Sequence, residues 1–258
     1  MILRSVTKHV RDQNWFAVWI DFLIVVVGVF IGIQVANWND ARRDRQLGAE
    51  YTVRLIADLE QDLSAARTLA SYYDDVTEAI KDADRLLSQP DPDPKALVVA
   101  AYRASEFSTN PSSRATWDQV VSSGHLGLLP DAAIESGLSD YYRFTGSVEE
   151  TLARLQDTPY RRAVRSLIPL AVQISMREGC SDVLDSKQVI VGFVTDCKLD
   201  VDNAMISETA QALMASAEIR EWLRYQYSMV GAVQLNNYGN VWLLEQLLAV
   251  LTVKEADE

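Results

Sequence analysis

The chain has 258 residues, 24 Lys and Arg against 36 Asp and Glu, a formal charge of −12 and 48% hydrophobic residues. Two cysteines exclude a disulfide-dense scaffold, and seven prolines with eleven glycines exclude collagen-like or low-complexity sequence. An acidic chain of pI near 4.7 is poorly suited to nucleic acid, which needs a basic face, and the length holds one sizeable core or two modest ones.

The charge is unevenly spread. Residues 1–50 carry six basic and five acidic side chains, and the remainder carries 18 and 31, so the acidity belongs to the later part. The first 14 residues form a basic tail with Arg4, Lys8 and Arg11. Residues 15–38 read WFAVWIDFLIVVVGVFIGIQVANW, with Asp21 the only charge and 22–33 wholly apolar. As a helix this segment reaches about 36 Å, enough to cross a hydrocarbon core of about 30 Å. Trp15, Trp19 and Trp38 stand where the aromatic belts of a span are expected. The apolar run is longer than the h-region of a cleaved signal peptide and lacks an A-x-A site, so it reads as an uncleaved signal anchor. Arg42, Arg43 and Arg45 on the far side balance the tail, and the positive-inside rule returns close to a tie.

Within the span Asn14, Asp21 and Gly28 recur every seven residues, and Gly32 extends the stripe toward Asn39. Gly28 and Gly32 form a GxxxG motif, which lets two helix backbones approach closely. An ionisable residue on that face points it toward protein, either another membrane protein or a second copy. The alternative is a hydrated Asp21 near the interface with the two glycines incidental.

The segment DFLIVVVGVFIGIQVANWND followed by Ala-Arg-Arg resembles the opening of a bacterial family of single-span membrane proteins of unknown function. That family closes its span with a Gln-x-x-Asn-Trp-Asn signature, here Gln34, Asn37, Trp38 and Asn39. A shorter likeness runs from Thr116 to Gly124 and on to Pro130, where the family joins two helices. The resemblance implies membrane anchoring and a helical domain, and no chemistry.

Residues 39–258 are expected to form an all-α domain, an antiparallel bundle that begins with a long helix over 47–88. Leu59, Leu63, Ala66, Ala70, Tyr73, Thr77, Ile80, Asp84 and Leu87 alternate steps of four and three, a seam flawed at Thr77 and Asp84. Its small residues favour packing within the chain over a coiled coil between chains. The prolines of Gln89–Pro94 stop that helix. A helical pattern resumes over 95–107, another ends at Gly124, and Pro130-Asp131 opens one carrying Ile134, Leu138, Tyr141 and Tyr142. Ser147-Val-Glu-Glu150 has capping-box spacing, Thr158-Pro159 pairs a cap with a first-turn proline, and Pro169 should kink the helix that Gly179 ends. The last helical stretch runs over 203–253 with a break near Ser216, and Trp242 belongs to its apolar set. The one β-like island is QVIVGFVT at 188–195.

Cys180 and Cys197 bracket that island. An oxidising compartment would join them, and a reducing one would leave two buried thiols. The pair tips the orientation tie toward a single-pass protein of the bacterial inner membrane with a periplasmic C-terminal domain. No cofactor or metal motif is present. His9 lies in the tail, which leaves His125 as the only domain histidine and no Cys/His tetrad for zinc. Asp196, Asp200, Asp202 and Asn203 crowd one turn but lack an EF-hand's glycine and terminal glutamate, so they read as carboxylates near a helix start. Ser5-Val-Thr-Lys8 matches S-x-x-K only in the tail before the span, and nothing else resembles a catalytic constellation. The expected function is non-enzymatic: a membrane-anchored module binding another envelope protein or a second copy of itself. The alternative is an accessory subunit of a transporter or proton-driven complex acting through Asp21. A C-terminal alkaline phosphatase fusion is expected to be active in intact cells, whereas a cytoplasmic fluorophore at the same position should report nothing useful. The reverse pattern would place the domain in the cytoplasm.

Overall fold

The computed structural model describes residues 15–184, 186 and 190–255. Arg4, Lys8, Arg11, His9 and Asn14 of the tail, and Gln188 and Val189 of the β-like island, lie outside the described residues. The chain divides into two units, Met1–Glu50 and Tyr51–Glu258. Helix α1, Trp15–Leu87, contributes residues to both.

In the first unit α1 contains the apolar segment. From Trp19 to Trp38 every described side chain is exposed, with Phe22 at 65% and Phe30 at 61%. Its best window has a mean hydropathy of 2.3, and α1 is the one helix among the described residues long and apolar enough to cross a bilayer.

The second unit is all-α apart from one hairpin. After α1 come α2 (Pro94–Arg103), α3 (Ala115–Ser122), α4 (Asp131–Glu135), α5 (Leu138–Leu155), α6 (Pro159–Leu167) and α7 (Leu170–Gly179). Strands β1 (Asp182–Leu184) and β2 (Ile190–Phe193) pair antiparallel, and α8 (Asn203–Ala215) and α9 (Ala217–Glu255) complete the chain. One core draws on α1, α2 and α5 to α9, including Tyr73, Leu97, Leu152, Tyr160, Val172, Leu213 and Val233.

The buried stripe of α1 differs in phase from the predicted seam. Leu55, Leu59, Asp62, Ala66, Leu69, Tyr73, Val76, Ile80, Ala83 and Leu87 are all buried, in unbroken steps of four and three. Leu59, Ala66, Tyr73, Ile80 and Leu87 belong to both series. The other predicted positions shift by one residue: Asp84 is exposed, Leu63 and Thr77 are half-buried, and the two flaws vanish because Val76 and Ala83 take their places. Ala70 is buried beside the true stripe. Helix α9 presents the matching series Ile219, Leu223, Gln226, Val230, Val233, Asn237, Leu244, Leu247 and Leu251. The two helices run antiparallel. Arg67 pairs with Glu245 at 2.6 Å, Tyr238 Oη donates to Asp74 at 2.7 Å, and Arg220 donates to the Leu87 carbonyl at 2.8 Å. The seam is thus closed within the chain.

Several helix ends follow their local chemistry. Asp93 caps α2, accepting from Lys95 N at 3.0 Å, with Pro94 in the first turn. Gly124 at φ 72° closes α3 as a left-handed C′ residue, with His125 N bonded to the Val120 carbonyl at 2.9 Å. Thr158 caps α6 ahead of Pro159, and Asp202 caps α8 through Ala204 N at 3.0 Å. The backbone turns extended at Ser216, and its hydroxyl receives Ile219 N at the start of α9.

Others depart from expectation. The helix opened by Asp131 stops at Glu135, because Gly137 at φ 95° resets the chain before Leu138. Ser147 and Glu150 lie inside α5, where the Ser147 carbonyl accepts from Thr151, so their capping-box spacing is unused. Pro169 breaks the helix outright: Ile168 is extended and α7 starts at Leu170, since proline disfavours helical geometry in its predecessor. The pattern over 95–107 ends at Arg103. The island gains a partner strand, β1, of only three residues.

Cys180 and Cys197 are joined as a disulfide, their Cα atoms 4.5 Å apart. Beside it Lys198 N donates to the Gly179 carbonyl at 3.2 Å, and a Cβ at Gly179 would lie 1.9 Å from the Lys198 carbonyl oxygen. Only glycine permits that approach. With the cysteines 17 positions apart, reduction or Cys197→Ser is expected to cost about 3 kcal/mol in the loop-entropy view. Thermal melts with and without reductant measure it, and the cysteine variant should lose the reductant effect.

Candidate functional site

The residues proposed for the span occupy one unit. Asp21 is exposed on α1, and Gly28 and Gly32 have open space where a Cβ would stand. Gln34, Asn37, Trp38 and Asn39 are likewise exposed, Trp38 at 62%. Asp196 pairs with Lys198, Asp202 serves as a helix cap, and among the described residues no three His, Cys, Asp or Glu side chains gather as a metal centre. His125 Nδ1 shares a 3.0 Å hydrogen bond with the Tyr51 hydroxyl, a contact between the start of the bundle and the turn after α3.

Two polar clusters lie in the bundle. In the first, Arg103, Arg161 and Arg165 surround Glu106. Arg165 reaches Glu106 at 2.8 Å and Arg161 does so at 3.6 Å, with all these side chains one-fifth exposed or less. Arg161 donates to the Ser105 carbonyl, Arg165 Nε to the Ser105 hydroxyl at 2.8 Å, and Arg103 to the Val194 carbonyl. The guanidinium groups also cover aromatic faces: Arg165 lies 3.4 Å from the Tyr102 centroid, Arg161 4.9 Å from Phe107 and Arg103 5.0 Å from Phe193. Burial pulls Arg103 and Arg161 below the usual guanidinium value. Every cation here is spent on a carbonyl at the end of α2, on the hairpin or on Glu106. This is a clamp, and it contains no nucleophile beside a base.

Asp182 of β1 faces the clamp. Burial, then the charge of Glu106, pushes its carboxyl up to about 6, although Arg103 and Arg165 oppose the shift. In the second cluster Asp62 interrupts the α1 stripe. Its carboxylate accepts from the Tyr141 hydroxyl at 2.7 Å and from Ser113 N at 2.8 Å, and burial still holds its carboxyl above the ordinary value.

The surface offers a third feature. Phe144 on α5 and Leu235, Trp242 and Leu243 on α9 line a groove of about 610 Å³ together with Gly239, Asp140 and Arg143. Leu235 is 72% exposed and Trp242 63%. Trp242 therefore leaves the core set in which the sequence pattern placed it. Residues 235, 239 and 242 step by four and three, a second stripe on α9 beside the buried one. The legible signal was an apolar residue at 235 and again at 242, out of phase with Val233, Leu244 and Leu247. Gly239 is exposed, and nothing approaches within 4 Å of a Cβ built on it. An exposed tryptophan beside a glycine, among apolar side chains, is the make-up of a protein-binding hot spot. No family model, curated protein or solved structure matches the chain.

Asp182 allows a test of the clamp. A carboxyl whose folded pKa lies above its unfolded value favours the fold when protonated, and that contribution is lost as pH rises from about 4 to about 6. Asp182→Asn should melt higher than the native chain at pH 7, with the gap closing by pH 4. A gap independent of pH would show that Asp182 is not the titrating group.

Proposed function

We propose that the chain is a membrane-anchored, protein-binding or scaffolding module of the bacterial envelope. The apolar part of α1 holds it in the inner membrane, and the groove between α5 and α9 receives an amphipathic helix of another envelope protein. The exposure of Leu235 and Trp242 on either side of Gly239 is the observation that carries this reading. Large apolar side chains at i and i+7 with a glycine at i+4 between them suit a helix-in-groove contact. The disulfide agrees with an oxidising compartment and hence with a periplasmic bundle. In the span, the exposed Gly28 and Gly32 give a second helix a place to pack, with Asp21 on the same face.

The test is photo-crosslinking from position 235 in cells. The native groove should capture a discrete partner, and Trp242→Glu should abolish capture, corresponding to about a 30-fold or greater loss of affinity for a hot-spot residue. A surface change of this kind should shift stability by about 0.5 kcal/mol or less. Asp21→Leu should leave capture intact. If Asp21→Leu destroys the complex and Trp242→Glu does not, the protein acts through the span instead.

A further inference from the structure

The buried stripes of three helices are interrupted by polar side chains, and these interruptions meet. Asp62 of α1, Thr145 of α5 and Asn237 and Asn240 of α9 line one cavity of about 30 Å³, joined by Asn110 and by Glu149 at its mouth. Asp62 is 5% exposed and Asn237 only 2%, in positions where their stripes otherwise carry apolar residues. No Lys, Arg or His among the described residues forms an ion pair with Asp62, although a buried carboxylate ordinarily has a cationic partner or a metal. Its bonds, from the Tyr141 hydroxyl and from the backbone and side chain of Ser113, leave acceptor capacity on a carboxylate that has about four lone-pair sites. Asn237 Nδ2 and Asn240 Oδ1 are both buried without a hydrogen-bond partner. Amide oxygen and nitrogen exchange places by a half-turn, so Asn237 can equally present its oxygen. The loop at 110–113 draws the two acids together: Ser113 N bonds to Asp62 and Ser112 N to Glu149, the latter at 3.3 Å.

From this convergence we infer that the cavity is a calcium-binding site, with Asp62 as its anchoring carboxylate and amide and hydroxyl oxygens of the three helices completing the shell. The donor set consists of oxygen, as a hard cation requires, and it holds no thiol or imidazole for a transition metal. Calcium accepts irregular shells of mixed carboxylate and amide oxygens, whereas magnesium demands a regular octahedron and keeps its waters. The volume suits one ion with a water, since a single water occupies at least about 10–15 Å³ on this measure. A cation here would compensate a buried carboxylate that has no positive partner among the described residues, and would tie α1, α5 and α9 together. The site is independent of the α5–α9 groove, which opens on the surface.

The experiment is thermal unfolding of the full chain in detergent micelles, stripped with chelator and titrated with calcium, magnesium or sodium. Calcium should raise the midpoint saturably, by about 5 °C at roughly a hundredfold excess over its dissociation constant. Magnesium should do far less at equal ionic strength. Asp62→Asn should abolish the rise, and Asp84→Asn, which removes an exposed acid of the same helix, should preserve it. A midpoint indifferent to calcium overturns the inference, as does an equal rise in both variants, which would be screening of an acidic surface. Should Asp62→Asn fail to fold, Asn240→Leu decides: a tenfold or greater increase in the half-saturating calcium concentration supports the site, and an unchanged value overturns it.

Discussion

The bundle depends on the contact between two heptad-like stripes, one on α1 and one on α9, that are far apart in the chain and antiparallel in space. Each follows steps of four and three, α9 with one step of seven from Asn237 to Leu244, so each presents a long and mostly apolar face to the other elements. Polar pairs at the edges, Arg67 with Glu245 and Asp74 with Tyr238, hold the two helices in one register. Such exposed pairs contribute little energy alone. They exclude neighbouring registers, in which the same groups would lose their partners. The shorter helices α2 and α5 to α8 fill what these two leave open, and their large side chains, Tyr160 and Leu97 among them, are fully buried.

Legibility in the sequence followed the range of the forces involved. Ends set by one or two residues were readable: the Gly124 turn, the Thr158-Pro159 start and the Ser216 break all follow from local backbone chemistry. The all-α class and the disulfide pair were readable too. The phase of the α1 stripe was not, because both series alternate steps of four and three and share Leu59, Ala66, Tyr73, Ile80 and Leu87. They differ only in which neighbour lies between the shared positions, and the packed helices cover Asp62 rather than the more apolar Leu63. Strand β1 was invisible because Asp182-Val-Leu184 is too short to carry a pattern and pairs only once Gly179 and Lys198 are brought together. Within the groove, Trp242 looked like core since its helix is apolar on two faces. Apolarity alone does not say which face is covered. The cavity at Asp62 was equally hidden, as Asp62, Thr145 and Asn240 are remote in sequence and each looks ordinary by itself.

The bundle treats its buried charges in two ways. Around Glu106 three arginines are held by carbonyls, the Ser105 hydroxyl, the Glu106 carboxylate and aromatic faces, which offset much of their lost hydration. At Asp62 the compensation consists of a tyrosine hydroxyl and the backbone N–H and side chain of Ser113. The first arrangement fastens the end of α2 to α6 and to the hairpin that the disulfide closes. The second lies among the long helices, and the difference between them separates what the fold has stabilised with its own side chains from what it leaves to its surroundings.

The pairing of α1 with α9 also orders events during synthesis. Arg67 and Glu245 are 178 positions apart, so ribosomes adding about 5–20 residues per second deliver the second partner roughly 10–35 s after the first. Throughout that interval Leu55, Leu59, Leu69 and Val76 have no α9 to cover them. The nascent chain therefore presents a second apolar strip just behind its most hydrophobic segment until its last helix emerges. A truncation that removes α9 would leave that exposure permanent, which makes the C-terminal helix the element on which the solubility of everything before it rests.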